Sequence, residues 1–391
     1  MRDYETVSTD SHLEVSPDRW RPYVDAEFHE YVPKVVKLPG GGDAWLMPGK
    51  SQPVPLGLNF SAGRGWENLK TSGLSYEDGL VGAGDAKQRL SEMDQDGLDA
   101  ELLFPAVSGQ RTIDIGALPR EAYIAVARGY NDWLSQEYTV EDPDRLLGLA
   151  ILPCTTIDDS IAELERVAAM PGIRGVALHQ WPNGSPVPRP EEDDRFWARA
   201  IELDVPLTAH IFFGGGAAAE DQARAEAAAG GVSLMNFAPM TMMLSKSATR
   251  GGIVIQFIQH GTLDRFPELQ LFFAETQIGW IPEFKEDADE NWRRHRYWSG
   301  ADQWLHEPSW YMDHHFQWGF QIDRFGLKVR HDIGVDRIQW STDFPHVQCD
   351  WPNSRQVIEE QFADIPADET RKIVCDNAVK YFRLDRDRVT A

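Results

Sequence analysis

Leu146-Leu147-Gly148-Leu149-Ala150-Ile151-Leu152 is apolar almost from end to end. A strand with one wet face alternates apolar and polar residues. A strand covered on both faces need not, so this run reads as part of a parallel sheet flanked by helices. Working outward, runs of this kind appear at residues 5–9, 99–104, 146–152, 173–178, 205–209, 269–274, 314–322 and 337–342. Helical spacing fills the intervals, at 85–95, 119–138, 157–170, 191–203, 282–297 and 354–362. Strand and helix alternating eight times predict a (β/α)8 TIM barrel, one domain over residues 1–391. An open doubly wound sheet is the alternative. Its dinucleotide fingerprint is missing after the first run, where Asp10-Ser11-His12 stands.

Composition narrows the function classes. The 391 residues include 38 basic and 62 acidic side chains, a net charge of −24. That balance excludes a nucleic-acid binder and disfavours an anionic membrane surface. No apolar run approaches the ~18 residues of a membrane span. Cys154, Cys349 and Cys375 are too few and scattered for a disulfide framework or a thiolate metal site. The first residues lack the layout of a signal peptide. The expectation is a cytoplasmic protein acting on a small molecule, with neither nucleic acid nor membrane as partner.

Two insertions interrupt the alternation, residues 31–84 after the first strand and 211–250 after the fifth. Both are strand-to-helix connections, so in a barrel both fall on the catalytic face. Gly40-Gly41-Gly42 and Gly214-Gly215-Gly216 are candidate hinges.

The ends of the strands carry the chemistry. Asp10, His12 and Glu14 follow the first run, His179 the fourth, His210 the fifth, Glu275 the sixth, and Asp343 with His346 the eighth. A barrel gathers these positions at one mouth, and imidazole with carboxylate is a donor set for a divalent cation.

Four segments carry a family resemblance: Thr9-Asp10-Ser11-His12-Leu13-Glu14, residues 261–269 (GTLDRFPEL), residues 275–282 (ETQIGWIP) and Ser341-Thr342-Asp343-Phe344-Pro345-His346. Together they resemble the amidohydrolase superfamily, in the branch that holds aminocarboxymuconate-semialdehyde decarboxylase and the resorcylate-type decarboxylases. The resemblance spans roughly residues 7–382. It implies a metal-dependent barrel, a homodimer, and a ligand set of Asp10, His12, His210 and Asp343. A second register pairs His12 with Glu14; the first is preferred. Where binuclear relatives carry a bridging lysine, His179 stands, which implies one metal ion. Zn2+ is expected, while Mn2+ and Fe2+ suit the same ligands.

The expected activity is hydrolysis of an amide, ester or lactone in a small aromatic or cyclic substrate, through a metal-bound water. Asp343 would be ligand and base, Glu275 would orient the water or protonate the leaving group, and His179 or His346 would polarise the carbonyl. The alternative is non-oxidative decarboxylation of an aromatic or unsaturated acid. Glu275 tilts the reading to hydrolysis, because the decarboxylases usually carry a histidine there. A non-catalytic barrel is the third reading, and the retained donors argue against it.

Overall fold

The computed structural model describes residues 3–106, 118–185, 187–210, 213 and 250–385. Eight strands form one sheet: β1 (Val7–Leu13), β2 (Ala100–Pro105), β3 (Leu146–Ile151), β4 (Ile173–Leu178), β5 (Leu207–His210), β6 (Leu271–Ala274), β7 (Phe316–Phe320) and β8 (Ile338–Trp340). Each pairs in parallel with the next in chain order. β8 returns to β1 and closes the ring. Thr9 Oγ1 donates to the Trp340 carbonyl at 3.1 Å, Thr342 N to Ser8 Oγ at 3.0 Å, and Asp343 N to the Asp10 carbonyl at 2.9 Å. Ser11 and Phe344 form the parallel bridge there. The fold is a (β/α)8 barrel.

The strands are buried along almost their whole length, which is why runs such as that of β3 carry no alternation. Helices wrap them and are capped by local chemistry. Asp85 accepts from Gln88 N at the start of Ala86–Asp96, which ends on left-handed Gly97. Thr156 accepts from Asp159 N ahead of Ile157–Ala168. The helix Pro190–Glu202 begins on the proline that its first turn tolerates.

Several boundaries differ from the sequence expectation. β1 runs to Leu13 instead of stopping at Thr9, so Asp10 and His12 lie inside the strand. Polar residues facing the barrel interior had hidden it. His314 and His315 end the helix Pro308–His315 and do not begin β7. His315 Nδ1 donates to the Leu269 carbonyl at 2.8 Å, at the opposite end of the barrel from the mouth.

Residues 31–84 build a structure of their own. Lys34–Lys37, Asp43–Leu46 and Val54–Pro55 form a three-stranded antiparallel sheet. Trp45, Met47, Leu56, Phe60, Leu74 and Leu80 make a second small core with Ala106. Gly57 sits at φ +45°, where a Cβ would lie 2.3 Å from the Thr71 carbonyl oxygen. Gly42 crosses the chain at Gly73, where a Cβ would lie 2.6 Å from the Gly73 Cα. Gly42 thus serves close backbone approach. The insertion bears on the ends of β1 and β8: Ser61 N and Ala62 N donate to the Pro345 carbonyl at 2.9 and 3.1 Å. The second insertion, 211–250, lies outside the described residues except for Phe213 and Arg250.

Candidate metal centre

The register of β1 shifts between Ser8 and Ser11, and Asp10 and His12, two residues apart, turn their side chains toward each other inside the barrel. Both are fully buried. His12 Nδ1 lies 3.4 Å from the Pro105 carbonyl oxygen, which can only accept, and this aims Nε2 inward. There Nε2 is 3.3 Å from Asp10 Oδ1 and 3.3 Å from Asp343 Oδ1. His210, the last residue of β5, brings its Nε2 to 3.6 Å from Asp10 Oδ2 and 3.6 Å from Glu275 Oε2. His346 Nδ1 is 3.2 Å from Asp343 Oδ1. Its ring stacks on His12 with centroids 3.9 Å apart.

Two overlapping trios result, Asp10–His12–His210 and His12–Asp343–His346, each with donor atoms within 4.8 Å of one another. Of the two strand-1 carboxylates, Asp10 joins the trio and Glu14 does not. Glu14 lies beyond the end of β1 and faces His346 instead, Oε1 to Nε2 at 3.1 Å.

Asp343 and Glu275 follow their strands at φ +59° and +58°. A left-handed backbone costs a side-chain-bearing residue ~1 kcal/mol or more. Here it turns the chain sharply at the strand end and brings each carboxylate over the mouth. Glu275 is held by Gln348, whose Nε2 donates to Oε1 at 2.8 Å.

The electrostatics suit a cation. Burial alone would raise the Asp10 carboxyl, but the charge of His210 and the hydrogen bonds of His12 and His210 outweigh it and hold the pKa well below the usual range. Burial would likewise lower His12, yet hydrogen bonds and charge from Asp10 and Asp343 raise it to about 10. Burial also opposes ionisation of Asp343, and the charge of His346 with the hydrogen bond of His12 reverses the effect. So the carboxylates of Asp10 and Asp343 stay ionised and protons gather on the imidazoles of His12 and His346. Both Asp10 oxygens, His12 Nε2 and Asp343 Oδ1 are buried with no hydrogen bond of good geometry. Desolvated polar atoms of this kind are costly unless something else meets them. Each trio, Asp10–His12–His210 and His12–Asp343–His346, offers donors that suit a divalent cation in place of the protons.

The remaining residues sort differently. His179 follows β4 at the same end, but its Nε2 pairs with the Tyr123 hydroxyl at 3.2 Å and it belongs to neither trio. Trp181 is fully buried against Trp197, Phe213 and Phe257, and so is core. Three contributors escaped sequence reading. Gln348 sits five residues past Asp343 and was within reach of the motif. Asn59, which donates to Glu14, and Tyr123 come from segments with no local signal of a site. A cavity of about 500 Å³ lies under the other end of the barrel, lined by Pro206, Gln270, Arg337 and Tyr381 among others, far from these donors.

Comparison with known proteins bears on the chemistry. A family model described as Amidohydrolase matches residues 10–384. Decarboxylase orsB of Emericella nidulans is 27% identical over 227 residues, 56% of this chain and 64% of that protein, so the match spans less than two thirds of that relative. Gamma-resorcylate decarboxylase of Rhizobium sp. is 26% identical over 352 residues, 83% of this chain and 93% of that one. Among solved structures, an amidohydrolase from Mycobacterium avium subsp. paratuberculosis has a TM-score of 0.70 at 18% identity, covering 98% and 100% of the two chains. A dihydroxybenzoic acid decarboxylase from Polaromonas sp., with bound manganese and 2-nitroresorcinol, has a TM-score of 0.61 at 20% identity, covering 78% and 88%.

These relatives overturn the expectation of a hydrolase. Those named by activity are decarboxylases. The inference from Glu275 failed for a chemical reason. A carboxylic acid can deliver a proton to carbon as an imidazolium can, so the absence of a strand-6 histidine does not exclude decarboxylation.

Proposed function

The chain belongs to the amidohydrolase family, its match running over residues 10–384, and from that premise we propose that it is a divalent-metal-dependent, non-oxidative decarboxylase of a hydroxy-substituted aromatic acid. The observation that carries the reading is the pair of buried donor trios sharing His12, in a chain whose relatives are named as decarboxylases, one of them of gamma-resorcylate. Asp10, His12, His210 and Asp343 would hold the ion. Manganese is the assignment, after the ion bound in the dihydroxybenzoic acid decarboxylase.

A divalent ion held by these residues would supply Lewis-acid chemistry, withdrawing electron density from the acid. The chain then has three tasks. It fixes the acid at the mouth, keeps water out of the ring's reach, and delivers one proton to the carbon that loses CO2. The carbon–carbon bond breaks, its electron pair takes the proton, and CO2 leaves. Asp343 is engaged by His12 and His346, so the proton is assigned to Glu275. Gln348 anchors one oxygen of that carboxyl, and the other lies on the His210 side. The insertion 31–84 is assigned as a cover over the strand-1 and strand-8 side of the mouth, through its contacts to Glu14 and Pro345.

The test is a panel of ortho-hydroxylated benzoates, 2,6-dihydroxybenzoate included, incubated with Mn2+-loaded protein while CO2 is measured. In D2O the product should carry one deuterium at the vacated carbon. No CO2 from any member, or CO2 release that persists in metal-stripped protein, rejects the proposal.

A further inference from the structure

Glu14 is 1% exposed and meets three elements at once. Its Oε1 faces His346 Nε2 at 3.1 Å. Its Oε2 accepts from Asn59 Nδ2 at 3.0 Å. Its backbone carbonyl accepts from the Tyr76 hydroxyl at 3.1 Å. Asn59 and Tyr76 both belong to the insertion, Asn59 on the tight turn Gly57–Phe60. On the far side of His346, Nδ1 meets Asp343 Oδ1 and the ring lies flat against His12. A continuous line of contacts therefore runs from the insertion to two of the candidate metal ligands: Asn59, Glu14, His346, then Asp343 and His12.

The polarity of that line is fixed by chemistry. An amide nitrogen only donates and a carboxylate only accepts, so Asn59 and Glu14 can pair in one sense. The imidazole nitrogen facing Glu14 must then carry a hydrogen. A histidine ring turns about a broad, roughly two-fold torsion. One contact with Asp343 leaves that rotation loosely set, and a second anchor on the opposite nitrogen pins it. Glu14 can be that anchor only if its own long side chain is held, and Asn59 is a donor that holds it from the insertion side. Partners one step removed from a metal set the orientation of the ligands.

We propose that Asn59 is a positioning residue for the metal centre: by fixing the Glu14 carboxylate it holds the His346 ring against Asp343 and His12. This rests on Asp343 and His12 being metal ligands. It makes the insertion part of the centre's support as well as a cover.

The experiment compares Mn2+ affinity of the full-length protein with that of Asn59→Ala, Asn59→Asp and Leu58→Ala, by titration against a fluorescent chelator. Thermal unfolding of each metal-free protein is measured alongside. Asn59→Asp keeps the volume and replaces the donor by an acceptor facing Glu14, so it tests the contact without opening a cavity. Leu58 is on the same turn and 37% exposed, and serves as the control. Both Asn59 variants should bind Mn2+ about tenfold or more weakly, with metal-free unfolding midpoints like wild type and Leu58→Ala unaffected. Wild-type affinity in Asn59→Asp overturns the inference. So does a loss of affinity that tracks metal-free stability or appears equally in Leu58→Ala. Wild-type protein that takes up no Mn2+ overturns the metal reading itself, and this inference with it. Asp343→Asn separates the two failures: it should abolish tight Mn2+ binding whatever the Asn59 variants do.

Discussion

Asp343 and Glu275 occupy backbone conformations that suit glycine or asparagine better, at the two places where a carboxylate must hang over the barrel mouth. Their sequence positions were legible because acids at the ends of apolar strands have few other reasons to be there. Which strand-1 acid joins the cluster was not legible, since Asp10 and Glu14 share the same parity along the chain and only the end of β1 separates them. The roles of the two strained acids are separable. Glu275→Gln keeps shape and hydrogen bonding but cannot pass a proton. It should lower kcat by about 100-fold or more while Mn2+ content by elemental analysis stays at the wild-type level. A glutamine variant with normal turnover would return Glu275 to a structural role. His210→Ala should behave oppositely. It removes a donor from a set of four, so metal content and activity should fall together while circular dichroism of the metal-free protein is unchanged. Retention of full metal content would remove His210 from the ligand set. The protons held between the carboxylates add a third expectation. His12 is raised to about 10 without metal, and a ligand must surrender its proton. Mn2+ binding should therefore release protons, and apparent affinity should rise with pH on the acid side of that value. A calorimetric binding enthalpy independent of the buffer's ionisation enthalpy would refute this.

At the scale of elements, the strands of the barrel were readable from apolar runs, and helices from spacing and caps. The insertion was readable only as an interruption. Its strands are two to four residues long, and its core draws on side chains from Trp45 to Leu80, a separation no local pattern encodes. Trp45 is the centre of that core, 2% exposed, with its indole N–H donating to the Tyr76 hydroxyl at 2.8 Å. A second core with its own sheet should open as its own cooperative unit. Trp45→Ala should cost that unit about 3–5 kcal/mol. Hydrogen exchange should then accelerate at Val35–Trp45 and neighbouring pairs while β3 and β4 keep wild-type protection. Uniform acceleration across barrel and insertion would show one unit instead of two. Because Tyr76 also donates to the Glu14 carbonyl, the same variant should weaken Mn2+ binding.

The molecule as a whole is a ring whose closure and whose chemistry coincide. The hydrogen bonds that join β8 to β1 involve Ser8, Thr9, Asp10 and His12 on one side and Trp340, Thr342, Asp343 and Phe344 on the other. An ion held by the proposed ligands would clamp the seam, so stripping it should lower global stability. At free Mn2+ one hundredfold above Kd the difference is about 2.7 kcal/mol, read as a fall in Tm on adding chelator. An unchanged Tm would show that the folded chain does not bind the ion with that affinity. The alternation of strands and helices revealed the ring, but nothing local in the sequence revealed how it is sealed, because the partners are 334 residues apart in the case of Ser8 and Thr342. That separation also sets an order of events during synthesis. Asp10 and His12 leave the ribosome early, and Asp343 follows roughly half a minute later at about 10 residues per second. Until then the nascent chain has only part of a grip on any cation. On the proposed ligand set, loading with metal waits for the eighth strand, and a product truncated before it would have no complete set of ligands with which to withdraw ions from the cell.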